Sequence, residues 1–368
     1  MIYKIKNRIA RHIFSSDAMG SRCLIHHDKT ATLSMLKGNR ESMTRNISLL
    51  LVCTTIFLNL MPVTASADNE ELKGFDVYVV GHHAYVAGGT SGLYVVDIRG
   101  PANPKLVATV DTPGEAKGVY AVGSFAYVAD GSAGLQIVDI RNPANPRRIG
   151  SFETTGDARK VYVFSHYACV ADAQAGLQII NIRDAAQPRI VASIDTPGEA
   201  YHVYVAANHA YVADGNGGLQ IINIRRPAEP RIVASVSAPS DARSVHVISD
   251  YAYVADFANG IYAIDISNPT LPRVAGSLDT PGEAHGFYPL YNLLIVADGS
   301  RGLQLIDIRD PKSLRIIASY DTPGETRNIH GLASRVYVAG LGFGFGVFDV
   351  IDRSRLNPNG HFLVNLNQ

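Results

Sequence analysis

Cysteine is scarce in this 368-residue chain, with only Cys23, Cys53 and Cys169. Beyond the first 67 residues Cys169 stands alone, so no internal disulfide can staple the main body, and it reads as a small buried hydrophobe in a strand. No HExxH, no GxSxG and no pair of cysteines for zinc occurs, which removes the usual sequence signatures of zinc and serine hydrolases. Charge of one sign is not in excess, since 33 Lys plus Arg face 33 Asp plus Glu. Long apolar runs are missing as well. The most apolar stretch, Ile47 to Met61, is short for a membrane span.

That stretch follows Arg45 and precedes Ala65-Ser66-Ala67, the small-residue pattern of a signal-peptidase site. Residues 1–67 are therefore expected to be a leader and secretory signal cut after Ala67. Met43 opens a signal of ordinary length, with residues 1–42 upstream of it. Val52 before Cys53 does not suit a lipobox, so a lipid anchor is not expected. The leader holds nine Lys plus Arg and three Asp plus Glu, leaving 24 and 30 in residues 68–368, a net charge near −6. A nucleic-acid partner is not expected, because phosphate binding needs a basic footprint.

What the chain does have is a repeat. Tyr-Val-Ala begins at Tyr85, Tyr127, Tyr211, Tyr253 and Tyr337, and Cys169-Val170-Ala171 and Ile295-Val296-Ala297 fill the two remaining places of a 42-residue period. Seven residues earlier stands a second column of Tyr78, Tyr120, Tyr162, Tyr204, His246, Tyr288 and His330. Short strands repeated at a period in the low forties predict an all-β, seven-bladed β-propeller with one four-stranded blade per repeat. The repeats leave no room for a second domain in 68–368, and a monomer is expected.

Downstream of the triplet run LYVVD (93–97), LQIVD (135–139), LQIIN (177–181 and 219–223), IYAID (261–265), LQLID (303–307) and FGVFD (345–349). These segments resemble the LVIVD repeat of bacterial and archaeal surface proteins, across residues 75–350. The resemblance implies an exported propeller and no defined activity.

Within Gly114–Thr155, taken as one unit, strand A is Gly118–Val122, strand B Phe125–Ala129, strand C Leu135–Ile140 and strand D Arg148–Phe152, with Gly123-Ser124 and Asp130–Gly134 as turns. Strand C is apolar at nearly every residue, as a sheet covered on both faces requires. The tyrosine column is expected to pack between blades. Asp97, Asp139, Asn181, Asn223, Asp265, Asp307 and Asp349 are expected to hold the turn after strand C. His361–Leu366 is expected as the last strand D, with no N-terminal strand completing the seventh blade.

The DA and BC loops of a propeller share the face around its central channel, and both carry acid here. A carboxylate ring of Glu115, Asp157, Glu199, Asp241, Glu283 and Glu325 is expected in the DA loops, and Asp130, Asp172, Asp214, Asp256 and Asp298 in the BC loops, with Gly88 and Gly340 at the ends of that series. Such acids can hold Ca²⁺ in the channel mouth, but bonds to their own loop amides are the favoured reading. Two residues after each DA acid come Lys117, Arg159, Tyr201, Arg243, His285 and Arg327. That column varies while the rest of the repeat does not. With Phe257, Arg301 and Phe343 of the BC loops, these are the candidate binding-face residues. The alternation of Gly340, Gly342, Gly344 and Gly346 precedes no helix and is not a phosphate loop.

The expectation is therefore an exported, non-enzymatic binding or scaffolding module at the cell envelope, periplasmic, cell-surface or extracellular. It would recognise a protein or polysaccharide through the DA/BC face. The alternative is an envelope glycan hydrolase or lyase that uses the loop carboxylates of the same face.

Overall fold

A computed structural model of the chain describes residues 73–352 and 355–358. The expected leader and the segment 361–366 lie outside the described residues. The rest forms 28 strands, β1–β28, in seven antiparallel sheets of four, each taken from consecutive strands. The seven innermost strands are β1 (Asp76–Val80), β5 (Gly118–Val122), β9 (Lys160–Phe164), β13 (His202–Ala206), β17 (Ser244–Ile248), β21 (Gly286–Leu290) and β25 (Glu325–Leu332). Each packs against the next, and β25 packs against β1, which closes the ring.

Blades coincide with repeats. The seventh is β25, β26 (Arg335–Leu341), β27 (Gly344–Asp352) and β28 (Arg355–Pro358), and no described N-terminal strand joins it. Its outer strand is thus Arg355–Pro358, upstream of the segment expected from the sequence. Closure comes instead from a small clasp, in which Lys73 bridges Leu341 and the Gly74 amide donates to the Gly340 carbonyl at 3.0 Å. Six similar bridges join the BC turn of one blade to the DA loop entering the next, from Gly89–Ala116 to Gly299–Thr326.

Burial explains the regular columns. Leu135, Ile137 and Val138 of strand C are fully buried, as are Ala126, Val128 and Ala129 of strand B, because each sheet is covered on both faces by neighbouring blades. Each fully buried Leu or Ile contributes about 1.5–3 kcal/mol. Cys169 is buried in its strand, as the sequence implied, and burial pushes its thiol pKa far up. The acid or amide at the end of strand C holds its turn: Asp139 accepts from the Arg141 amide at 3.0 Å and Asn181 from the Arg183 amide at 2.9 Å. A glycine is required before strand C. Gly134 has φ +72°, and a Cβ there would lie 2.3 Å from the Phe152 carbonyl.

Candidate binding face and channel

The BC aspartates are latches inside the loops and do not face the channel mouth. Asp130 is fully buried and accepts from the Thr112 hydroxyl at 2.6 Å and the Gly114 amide at 3.0 Å. Asp172, Asp214 and Asp298 repeat this with Thr154 and Gly156, Thr196 and Gly198, and Thr280 and Gly282. Asp256 accepts the amides of Ser240 and Asp241. Burial raises the pKa of all five, opposed by these bonds. The two glycine positions have a steric reason. A Cβ at Gly88 would lie 2.1 Å from the Tyr94 ring, and one at Gly340 2.3 Å from the Phe343 ring. In blades 1 and 7 an aromatic ring thus fills the space used elsewhere by the aspartate. Phe343 is consequently fully buried and is corrected from binding-face candidate to packing residue.

The DA carboxylates and the variable column behind them form a ladder around the rim. Lys117 Nζ lies 2.8 Å from Asp157 and 3.4 Å from Glu115. Arg159 reaches Asp157 at 3.4 Å and Glu199 at 3.5 Å. Tyr201 donates to Glu199 at 2.9 Å, and its ring lies between two guanidiniums, with Arg159 4.4 Å and Arg243 4.0 Å from the centroid. Arg243 also pairs with Asp241 and lies 5.0 Å from the Phe257 ring centroid. Phe257 meets His285 edge-on at 5.3 Å. His285 in turn lies 3.2 Å from Arg327 and 3.5 Å from Glu283, and Arg327 pairs with Glu325 at 2.6 Å.

The ladder therefore runs from Glu115 to Glu325 with its charges largely matched. Burial, with Arg327 and Arg243 adding to it, pushes the His285 pKa down to about 3. It is a neutral ring in the ladder, not a cation. Phe257 stands where four other blades have glycine, Gly89, Gly131, Gly215 and Gly299, and its φ of +36° is a strained value for a bulky residue. Arg301 is exposed on the sixth BC turn and has no ion pair or ring contact with the ladder. The six carboxylates of the expected ring are spread along this ladder, each beside a cation, a tyrosine hydroxyl or a histidine.

Beneath the rim lies a feature the sequence reading did not identify. The tyrosine column does pack between blades, and it does so around the axis. Ring centroids are 4.6 Å apart for Tyr78–Tyr120, 5.0 Å for Tyr120–Tyr162 and for Tyr162–Tyr204, 4.1 Å for Tyr204–His246, 5.2 Å for Tyr288–His330 and 4.1 Å for His330–Tyr78. These rings border a central cavity of about 210 Å³. Burial lifts Tyr162 and Tyr204 to about 12 and lowers His246 to about 4 and His330 to about 3.

A column two places before the tyrosines and one place after the rim holds Asp76, Gly118, Lys160, His202, Ser244, Gly286 and Asn328, and Lys160, His202, Ser244 and Asn328 of it line the same cavity. Asp76 is buried and draws three blades to it. It accepts from Lys160 Nζ at 2.5 Å, from the Val119 amide at 2.7 Å and from Asn328 Nδ2 at 2.7 Å. Gly118 allows the close approach of blades 2 and 3, since a Cβ there would lie 2.5 Å from the Arg159 carbonyl. The signal for this column was available in the sequence. Five of its seven residues are polar and all five differ, inside an otherwise uniform repeat.

Solved structures share the architecture at low identity. The computationally designed Ika8 protein superposes with a TM-score of 0.58 at 7% identity, covering 77% of this chain and 98% of its own. The Myceliophteria thermophila Cps50 (Swd1) β-propeller domain gives 0.59 at 11%, covering 76% and 98%. Sqt1 of Saccharomyces cerevisiae gives 0.61 at 9%, covering 81% and 88%. At such identities the likeness shows the fold alone. No curated protein matches the sequence. The LVIVD repeat model matches residues 73–112, 113–154, 155–196, 197–238, 239–280 and 292–322, and its matches stop short of the seventh blade, where Phe343 and the glycine alternation depart from the pattern. The chain belongs to the LVIVD repeat family.

Proposed function

We propose that the chain is an exported, non-enzymatic propeller that binds a protein or polysaccharide of the cell envelope through its DA/BC face. Export rests on the signal-like segment ending at Ala67 and on the family's surface character. The observation that carries the binding face is the stack Arg159–Tyr201–Arg243–Phe257. It places planar cationic and aromatic groups side by side on a rigid ring, the side-chain types that dominate recognition hot spots. The strain at Phe257 supports the same reading, because a residue held at positive φ costs about 1–3 kcal/mol that glycine at this position would avoid. Since the rim cations are already paired with rim carboxylates, the partner is expected to present mixed or uncharged polar groups rather than a dense polyanion.

The test is capture from the producing organism's envelope fraction with residues 68–368 as bait, beside Arg159→Ala/Arg243→Ala/Arg327→Ala and Phe257→Gly. The reading expects a partner retained by the native protein, lost by the triple variant and weakened by Phe257→Gly. Equal retention by all three baits would overturn it.

A further inference from the structure

Among the described residues, five buried side-chain polar atoms have no hydrogen-bond partner: Nε of Arg159, Arg243 and Arg327, and Nδ1 of His202 and His330. All five surround one axis. The arginines belong to the rim, and the two histidines border the cavity directly beneath it. Buried polar groups are nearly always satisfied, so the two histidine nitrogens at the cavity mark a position where water or a ligand supplies the missing partners, apart from the arginines of the rim.

The cavity's electrostatics limit what that ligand can be. Its ion pair, Asp76 with Lys160, is self-neutralising and further satisfied by Asn328 and Val119. Burial, with Lys160 and His246 adding to it, holds His202 neutral. The remaining polar edge consists of neutral hydroxyls, amide and imidazole from tyrosines, Ser244, Asn328 and histidines. A charged molecule entering this space would lose its hydration without finding an unpaired counter-charge, whereas a neutral polar one keeps every exchange a hydrogen bond for a hydrogen bond. The volume of about 210 Å³ exceeds the about 150 Å³ of an apolar cavity that holds benzene, room for one six-membered ring with its hydroxyls.

The two halves of the variable column differ in a way that fits such a guest. On the side of blades 7, 1, 2 and 3 the side chains are tied into the Asp76 network. On the side of blades 4 and 5, His202 Nδ1 has no partner and Ser244 carries no side-chain hydrogen bond. Within this column one half is fixed and the other offers unused donors and acceptors, to which His330 of the tyrosine column adds a free Nδ1.

We propose that the central cavity is a binding site for a single neutral sugar residue, held by His202, Ser244 and the tyrosine–histidine ring and oriented by the fixed Asp76–Lys160–Asn328 wall. The site is distinct from the rim stack and does not depend on the rim recognising a partner. A free monosaccharide and the end of a glycan chain present the same hydroxylated ring, and the experiment separates the two sources.

The experiment is saturation-transfer NMR on residues 68–368 with glucose, galactose, mannose and N-acetylglucosamine, glucuronate as the charged comparator, and a short oligosaccharide of any sugar that binds. Two variants remove the site, His202→Leu and Ser244→Leu. The column already carries Lys160 and His202 in other blades, so a larger side chain is compatible with the backbone at position 244. Saturable transfer to at least one neutral sugar is expected, at least tenfold weaker in both variants and unchanged in Arg159→Ala/Arg243→Ala/Arg327→Ala. Tighter binding of the oligosaccharide than of the monosaccharide identifies a chain end as the guest, and equal or weaker binding a free sugar. Absence of transfer to every neutral sugar, undiminished transfer in both variants, or glucuronate binding as well as its neutral counterparts would each overturn the proposal. Loss of envelope capture in the rim variant with sugar binding intact would leave the two sites separate, as stated.

Discussion

Strand C places Leu93, Leu135, Leu177, Leu219, Ile261, Leu303 and Phe345 in one column, each no more than 1% exposed. The column at the start of strand A in six blades, and at the fourth residue of that strand in the seventh, places Asp76, Gly118, Lys160, His202, Ser244, Gly286 and Asn328 around the axis. Both belong to the same seven-fold repeat, yet the first is nearly invariant in chemistry and the second nearly all different. The wall is uniform because every blade must fill the same gap between the same two neighbours at the density of a solid. The axis is free to vary because the five side chains there meet one another and a cavity. Variation inside a strict repeat thus locates what packing does not dictate, and here it converges on one channel mouth.

The comparison breaks most severely at Asp76. Asp76→Ala removes the acceptor of Lys160, Asn328 and Val119 and is expected to cost about 3–5 kcal/mol in urea unfolding, the usual penalty for orphaning a buried charge. The double variant Asp76→Asn/Lys160→Met is expected to recover most of that loss. On the wall, Leu177→Ala and Leu219→Ala each leave a cavity worth about 2–5 kcal/mol. Because they occupy equivalent places in adjacent blades, their two values are expected to agree far more closely than any two substitutions in the axial column.

Acid sharpens the contrast further. His246 and His330 titrate at about 4 and about 3 in the fold, below the ordinary 6.5, because burial disfavours their charged forms, with Lys160 adding to the effect at His330. The unfolded chain takes up these protons first. Stability from this source is complete above about pH 6.5 and declines as pH falls toward 4, by at most about 1.4 kcal/mol per unit per histidine. Urea midpoints from pH 7.5 to 4.5 are expected to fall, and the slope to flatten in His246→Phe/His330→Phe. The smallest effect lies on the opposite face. Tyr291 opens an AB turn at φ +56° and is 71% exposed, and Tyr291→Gly is expected to raise stability by about 1 kcal/mol by relieving left-handed strain.

The propeller was legible because a repeated unit reports its own period. Strands A and B of the second blade begin and end where Gly118–Val122 and Phe125–Ala129 alternate. The last outer strand was misplaced because Arg355–Pro358 lacks the alternation that marks the others. Acid in a loop proved ambiguous for a physical reason. Asp130 and Glu115 read alike in sequence, but the first turns inward onto a threonine and a glycine amide while the second joins the rim. Phe343 read as an exposed turn aromatic because its burial depends on Gly340, three residues away, vacating the aspartate's space. The axial column was passed over although it obeys the rule that singled out the rim. Its residues begin strands, where variation is easily taken for drift, and only the closed ring brings Asp76 of blade 1 to Lys160 of blade 3 and Asn328 of blade 7.

If the rim carries recognition and the wall carries the fold, the two properties must separate in one molecule. The most direct measurement is urea stability and envelope capture on the same preparation of Arg159→Ala/Arg243→Ala/Arg327→Ala. Each arginine is expected to contribute less than about 1 kcal/mol to stability, as partly exposed pairs do, so the variant stays folded while capture is lost. Capture that persists undiminished, or that disappears only because the ring has unfolded, would contradict the account.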